Sequence, residues 1–400
     1  MKRFFSDLLS NRNDIVKTSD VEGMGKLFSS SKNESGENIT KDNAMKISTV
    51  FSCIRVLCEG ISSLPLHLYV QNGKEKLKAK AHPLYRLLYL SPNPDNVAVT
   101  FWEMCIVHLC LNGNFYAQII RNRKGEITQL IPLFANNVRK YRLESGHIIF
   151  TYFINGKIIE FKKEEIFEVM GLTLNGFVGV SPITYQAETL GLAKASEKHG
   201  SRFFKNDATP NFALEHPTTL SDDAYARMKT DWANRQGGSN QHSPAILEGG
   251  LKIAPMSVSN RDSQYLETRQ FQKSDICGVF RVPPHLIADL SKSSFNNIQE
   301  QSQELVKYTY HIYFIRIEQA INKQLLTEKE KDKYYAKFNV DGLLRGDIAA
   351  RYAAYNIGRN GGWLNANEIR EKEEMNPIKD GGDAYLQPLN MTITEGNDDE

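Results

Sequence analysis

Two long helical patterns flanking a short mixed segment constrain this chain more than any other feature. The first opens at Ser181-Pro182, a capping residue type followed by proline at the first helical position, and runs to about Asn206. The second covers roughly 261–280 and stops at Val282-Pro283-Pro284, since proline cannot continue a helix. Between them, 208–257 reads as a compact αβ insert. It holds a strand near 211–215, a helix over 221–235, a Gly237-Gly238 stop, and strands near 245–248 and 251–256. At ~1.5 Å per residue each helix reaches tens of ångströms, which would hold the insert at the end of a stalk. Such a shape suits a subunit of an assembly better than an enzyme built around a pocket.

The chain has 400 residues, too many for one compact core, so two or three structural units are expected. Residues 1–43 read as a disordered arm, because 10–45 are rich in Ser, Asn, Lys, Asp, Glu and Gly and bury too little to offset ordering entropy. A helix is predicted over 44–64, with Val50, Ile54, Leu57 and Ile61 on one face. A hairpin follows over 66–81 with Asn72-Gly73 as its turn, and the alternating Lys74, Lys76, Lys78 and Lys80 read as a solvated face. Helices over 83–90 and 100–112 lead into strands near 114–121, 126–133, 138–143, 147–153 and 157–161, turned at Gly125, Gly146 and Asn155-Gly156. Near the end, 297–326 carries an apolar stripe of Val306, Tyr310, Tyr313, Ile317, Ile321 and Leu325. Two shorter helices, split at Asn360-Gly361-Gly362, fill 342–380, and 391–400 form an acidic tail. The class is α+β.

Charge is nearly balanced, 49 basic against 47 acidic residues for a net +2, which argues against tight gripping of nucleic acid and leaves room for sliding. The five cysteines contain no Cys-x-x-Cys pair and read as buried free thiols. No signal peptide is expected from MKRFFSDLL, which breaks at Ser6 and Asp7, and no membrane span is expected because Arg55, Glu59, Glu103, His108 and Arg316 interrupt the apolar stretches. Catalytic motifs fail on inspection. Gly25-Lys26 lacks the leading glycine (Asp20) and the magnesium-binding hydroxyl (Leu27) of a phosphate loop. Gly60-Ile61-Ser62-Ser63-Leu64 lacks the closing glycine of a nucleophile elbow and lies in a helical pattern. The nine histidines have no ligand spacing, so no metal, cofactor or catalytic residue is expected. Two other classes stay open at this point: an enzyme with a spatially assembled site, and a monomeric DNA-binding module.

Several segments together resemble the portal, or head–tail connector, family of tailed bacteriophages, of the Hong Kong type. They are VFSCIRVLCEGISSLPLHLY (50–69), HPLYRLLYLSPNP (82–94), FWEMCIVHLCLNGNFYAQIIRNRKGEI (101–127), GFVGVSPI (176–183), RFFKNDATPNFAL (202–214), FRVPPHLIADL (280–290), NNIQEQ (296–301), RIEQAIN (316–322), LLRGD (343–347) and NANEIREKEEMNPIKDGGD (365–383). Their order and spacing carry the likeness. The sequence departs from the family's pattern at Phe295-Asn296-Asn297-Ile298-Gln299-Glu300.

The resemblance implies a portal fold and a dodecameric ring around a DNA channel at one capsid vertex of the virion. Double-stranded DNA would be packaged through it and later ejected, and assembly would pass through the host cytoplasm. Residues 44–181 would be the wing, 182–207 and 258–283 the stem helices, 208–257 the clip, and 284–296 the tunnel loop. Residues 297–341 would be a long helix and its return to the wing, and 342–390 the helical crown. Partners implied are further copies of the chain, the terminase large subunit, the major capsid protein and head-completion or adaptor proteins, with weak, non-sequence-specific contact to DNA. ATP hydrolysis would belong to the terminase. In the tunnel loop, Lys292, Ser293, Ser294 and Asn296 would lie nearest the DNA backbone. Lys194, Lys198, Arg202 and Lys205 recur at helical spacing on one face of the first stem helix. They face DNA, or they pair with acids such as Glu267 or Asp275 on a neighbouring stem; the second is favoured, since rings need registered contacts.

Overall fold

The structure, a computed structural model, describes residues 15–16, 35–73, 75–205, 212–236, 250, 252–255, 261–289, 303–340, 348–373 and 375–386. In chain order the elements are β1 (Ile15–Val16), α1 (Lys41–Ala44), α2 (Ser48–Ser62), β2 (Leu66–Asn72), β3 (Glu75–Lys78), α3 (Pro83–Tyr89), α4 (Ala98–Asn112), β4 (Asn114–Arg121) and β5 (Ile127–Leu133). Then come β6 (Val138–Leu143), β7 (Ile148–Ile154), β8 (Lys157–Lys162), β9 (Ile166–Met170), α5 (Pro182–Tyr185), α6 (Ala187–Lys205), β10 (Phe212–Glu215), α7 (Asp222–Gln236), β11 (Lys252–Pro255) and α8 (Arg261–Phe280). A π-helical turn (Leu305–Tyr310), α9 (His311–Gln324), α10 (Glu328–Lys331), β12 (Tyr334–Phe338), α11 (Ile348–Asn360) and α12 (Ala366–Lys372) complete the chain. The strand expected near 245–248, the start of the helix expected at 297, and the acidic tail lie outside the described residues.

The chain forms two compact units. One comprises 1–58, 104–118 and 132–298; the other 59–103, 119–131 and 299–400. The first contains an antiparallel sheet in the order β1-β6-β7-β8, a pairing of β4 with β9, and the small β10-β11 sheet. Its core gathers Tyr116, Val138, Phe150, Tyr152, Phe161 and Ile166. The turns form where the sequence places them, with Asn155 and Gly156 both left-handed (φ 50° and 73°), as a tight two-residue turn requires. Residues 35–44 have a defined path despite their polar composition: the Thr40 hydroxyl accepts from Asn43 N, and the Asn43 side chain accepts from Thr40 N, a reciprocal cap on α1.

The second unit is built on a sheet in the order β12-β2-β3. Phe314, Ile317 and Ile321 of α9 are buried, and Phe314 packs its ring 4.9 Å from that of Phe338. One edge of β12 pairs with β2. On α9, Glu318 Oε1 accepts from Phe338 N (2.9 Å) and Asn322 Oδ1 from Ala336 N (2.8 Å), occupying backbone donors that β2 does not use. Two polar residues four apart thus shield a strand edge. Burial pushes the Glu318 carboxyl pKa up, against the lowering effect of the hydrogen bond from Phe338 N.

The apolar stripe predicted over 306–325 holds from Tyr310 onward only in part. Phe314 takes the buried position rather than Tyr313, and Leu305 rather than Val306. The π-helical turn accounts for the second shift, since its wider winding puts residues five apart, Leu305 and Tyr310, on one face; beyond Tyr310 the helix is regular and Phe314, four residues on, takes the buried position. Gly60, the first residue of the failed nucleophile elbow, has a packing role. A Cβ there would lie 2.6 Å from Tyr310 Cζ and overlap the phenol oxygen.

Candidate interface on the two long helices

α6 is launched from a buried polar hub. Ser181 caps α5, its Oγ accepting from Thr184 N (3.2 Å) and donating to Leu111 O (2.5 Å). Pro182 occupies the first helical turn, and Gln186 (φ −108°, ψ 23°) marks the junction where α5 gives way to α6. Beside the cap, Gly179 N donates to Asn114 Oδ1 (2.7 Å), and Asn114 Nδ2 donates back to Gly179 O (3.0 Å). The backbones meet so closely that a Cβ on Gly179 would overlap the Gly113 carbonyl. Gly113 itself needs its left-handed φ of 76°. A strand start and a helix start 65 residues apart in sequence are thereby clamped together.

A second lock sits behind the hub. Lys140 Nζ on β6 donates to both carboxylate oxygens of Glu168 on β9 (2.6 and 2.9 Å) and to Phe177 O (2.9 Å), and lies 4.7 Å from the Phe177 ring centroid. Burial lowers the Lys140 pKa, against the raising pull of Glu168.

On α6, Lys194 and Lys198 share one face and converge on a single carboxylate that belongs to the same chain. Lys198 Nζ donates to Glu37 Oε1 at 2.6 Å, and Lys194 Nζ lies 3.4 Å from Glu37 Oε2. The hydrogen bond from Lys198 is the main reason the Glu37 carboxyl is held below its ordinary range, outweighing partial burial, with Lys194 adding to it. A cavity of about 270 Å³ opens alongside, between Asn43, Lys46 and Ile47 on one side and Lys194, Glu197 and Ser201 on the other. Burial raises the Glu197 pKa, opposed by Arg269. Arg202 and Lys205 fall on the last turn of α6, but their side chains lie outside the described residues.

α8 packs against α6 and is pinned to it by Gln272 Nε2, which donates to Ser196 Oγ at 2.9 Å. Glu267 and Asp275 are both exposed on α8. The Cys277 and Cys53 sulfurs approach to 3.9 Å in a buried contact. After α8 the chain turns through Arg281 (φ 56°) into a 3-10 turn at Pro284–Ile287 and a left-handed Ala288. The expected DNA-contacting residues of the following loop, Lys292, Ser293, Ser294 and Asn296, lie outside the described residues. Among the described residues, no group of three or more His, Cys, Asp or Glu could hold a metal, and no helix is long and apolar enough to cross a membrane.

The family model for phage portal proteins matches residues 48–374. The chain belongs to the phage portal protein family. The portal protein of Enterobacteria phage HK97 is 31% identical over 397 residues, covering 98% of this chain and 92% of the relative. The probable portal protein of Streptomyces phage phiC31 is 31% identical over 378 residues, covering 89% and 81%. A solved chain from the neck of an empty gene transfer agent particle, computed with C6 symmetry, aligns with a TM-score of 0.62 at 21% identity, covering 84% of this chain and 94% of that one. An HK97-family portal protein from Corynebacterium diphtheriae aligns with a TM-score of 0.52 at 17% identity, covering 76% and 97%. The fold is thus the α+β portal fold. The chain is a structural portal subunit of the capsid vertex and a virion component; the family is structural rather than enzymatic.

Sequence reasoning found the capped start of α5 and the Lys194/Lys198 face. It missed Glu37, which sits in a polar arm with no periodic signal. It also missed the Gly113–Asn114–Gly179 hub, although both of its segments, 113–114 and 179, fall within stretches that carry the family likeness. Lys140 and Glu168 were missed because strand β9 was not predicted.

Proposed function

We propose that the chain assembles into a dodecameric ring that conducts double-stranded DNA into the capsid under the terminase and later out of it, with assembly in the host cytoplasm. The observation that carries this reading is the family match across 48–374, which spans the paired long helices and the insert between them. In this reading 44–181 form the wing, α6 and α8 the stem, 208–257 the clip, 284–296 the tunnel loop and 342–390 the crown. The clip docks the terminase large subunit and then the head-completion or adaptor proteins, while the rim meets the major capsid protein. Lys292, Ser293, Ser294 and Asn296 of the tunnel loop touch DNA. A net charge of +2 supports weak contact, because a ring multiplies every phosphate contact by its subunit number.

The basic face of α6 serves protein contacts rather than DNA. The Glu37 carboxylate engages Lys194 and Lys198, and by their helical spacing in the sequence Arg202 and Lys205 are assigned to Glu267 or Asp275 of a neighbouring stem. Electron microscopy of the purified chain tests the ring: twelve-fold rings are expected, and a field of compact monomers at every concentration overturns it. Reversing the charge of Lys198 and Arg202 tests the stem. Failure to form rings supports the protein contact; intact rings that package DNA poorly assign the face to DNA instead.

A further inference from the structure

The five cysteines of this chain are all buried, yet their surroundings differ. Cys58 on α2 directs its thiol to its own helix, donating to Ile54 O at 2.9 Å. Cys105 on α4 is fully buried, and burial keeps its thiol protonated by pushing its pKa well up. Cys53 also lies on α2, but five positions from Cys58 and so on another face. There its sulfur meets that of Cys277 on α8 at 3.9 Å, across 224 positions of sequence. Both residues belong to the same compact unit and are 0% and 2% exposed.

Hydrogen bonding divides the pair into two roles. The Cys53 thiol donates to Cys277 Sγ, which lowers the Cys277 pKa; Lys273 adds to that effect, while burial and Asp289 oppose it. The same bond, with burial behind it, pushes the Cys53 pKa up. Cys277 is therefore the sulfur of the pair that ionises first, and the thiolate is the form that reacts with oxidants. A disulfide closes at about 2.05 Å, so the sulfurs must approach by about 2 Å. The end of a helix absorbs such a movement more readily than its middle. α8 stops at Phe280, just beyond Cys277, and a Cβ on the adjacent Gly278 would meet nothing within 4 Å.

We propose that Cys53 and Cys277 form a disulfide site, closed by a peroxide, that staples α8 to α2 once the particle leaves the reducing interior of a cell. A virion component meets that change of surroundings, and thiols held reduced in the cytosol oxidise outside it. The Cys277 thiolate attacks one peroxide oxygen: an S–O bond forms, the O–O bond breaks and hydroxide leaves. Cys53 then attacks the sulfenic sulfur: the S–S bond forms, the S–O bond breaks and a second hydroxide leaves. The two thiol protons turn both hydroxides into water. Two thiols and one hydrogen peroxide thus become one disulfide and two waters, the two electrons lost by the sulfurs reducing the peroxide. Burial selects the oxidant, since a peroxide is small enough to reach these sulfurs through local opening and a bulky disulfide reagent is not.

Hydrogen peroxide added to the purified full chain, followed by unfolding, alkylation and trypsin, tests the site. Cleavage after Lys46, Arg55, Lys273 and Arg281 isolates Cys53 in 47–55 and Cys277 in 274–281, one cysteine in each. The expected product is these two peptides joined, lighter than their sum by two hydrogens and separated by a reductant, while free thiols per chain fall from five to three. The oxidised chain should unfold at a temperature roughly 5–10 °C higher, and dithiothreitol should reverse the rise, because the bond closes a long loop of the unfolded chain. Cys277→Ala should lose both the link and the rise; where that variant folds poorly, the wild-type peptide map still decides. Retention of all five thiols, oxidation of Cys277 to a sulfinic acid without the link, or a link joining Cys53 to Cys110 overturns the proposal. The staple forms within one chain, so the map reads the same whether or not the ring reading holds.

Discussion

Replacing Lys140 with methionine tests whether the first unit depends on its buried ion pair. The lysine and Glu168 side chains are only 6% and 12% exposed, and the ammonium has three oxygen acceptors within hydrogen-bond distance. Methionine matches the lysine's stem but removes its charge, leaving the Glu168 carboxylate buried without its ammonium. Breaking a buried pair from one side costs about 3–5 kcal/mol, against about 0–1 kcal/mol for an exposed pair. In a domain of this size class that corresponds to a fall in Tm of roughly 10 °C. Differential scanning calorimetry measures it, and limited proteolysis near 171–180 should show the Phe177 loop loosened, because Lys140 also holds the Phe177 carbonyl. Pairing Lys140→Met with Glu168→Leu removes both charges and should recover most of the loss, since desolvating two ions offsets much of what their attraction supplies. A single variant within about 1 kcal/mol of wild type would refute the reasoning, and so would a double variant as unstable as the single.

Three further outcomes follow from the structure. Glu37→Gln should make 35–40 more susceptible to proteinase K; because the folded Glu37 pKa is lowered, the wild-type contact holds above the ordinary carboxylate range and is lost as pH falls through the lowered value, so wild type should match the variant only in acid. His67, buried against Tyr85 and Tyr89, has its pKa lowered to about 4 by burial and then by Lys78 and Lys80, so its contribution is complete above pH 6.5 and is lost between 6.5 and about 4. His67→Phe should flatten that part of a stability–pH curve measured by urea unfolding; an unchanged slope removes His67 as its source. Gly60→Ala gains about 1 kcal/mol of helix propensity but forces a Cβ against the buried Tyr310 ring at about 1–3 kcal/mol, so a net loss is expected in the same assay; a neutral result would mean that Tyr310 moves aside.

What was legible in the sequence was what local chemistry writes. Asn72-Gly73 and Asn155-Gly156 turn where left-handed residues allow it, and Ser181-Pro182 starts a helix because a hydroxyl and a fixed φ favour it there. Val50, Ile54, Leu57 and Ile61 are buried together because a regular helix repeats its face every 3.6 residues. The same periodicity misplaced Val306, since nothing in the local pattern announces a π turn. Strand β9, Ile166–Met170, went unread because its apolar run is only five residues long, is interrupted by Glu168 and follows a run of charged residues. Glu37 and Asn114 were invisible for another reason: each acts on a residue 65 or more positions away, and neither end carries a pattern of its own.

The internal pairing of Lys194 and Lys198 bears on how a DNA conduit keeps friction low. A near-zero net charge alone is a weak guarantee, because cations clustered on one helix face could still grip phosphates locally. In this chain two of the four stem cations are matched by an acid from their own subunit, carried by a segment with little packing of its own. A matched pair gives up few counter-ions to an approaching phosphate, so its contribution to DNA affinity is smaller than that of two bare lysines. Removing the acid should therefore strengthen the salt-dependent retention of DNA by assembled rings if this face borders the channel, and leave it unchanged if the face lies between subunits. Filter-binding of Glu37→Gln rings at two salt concentrations separates the two, and does so without disturbing any residue of the stem.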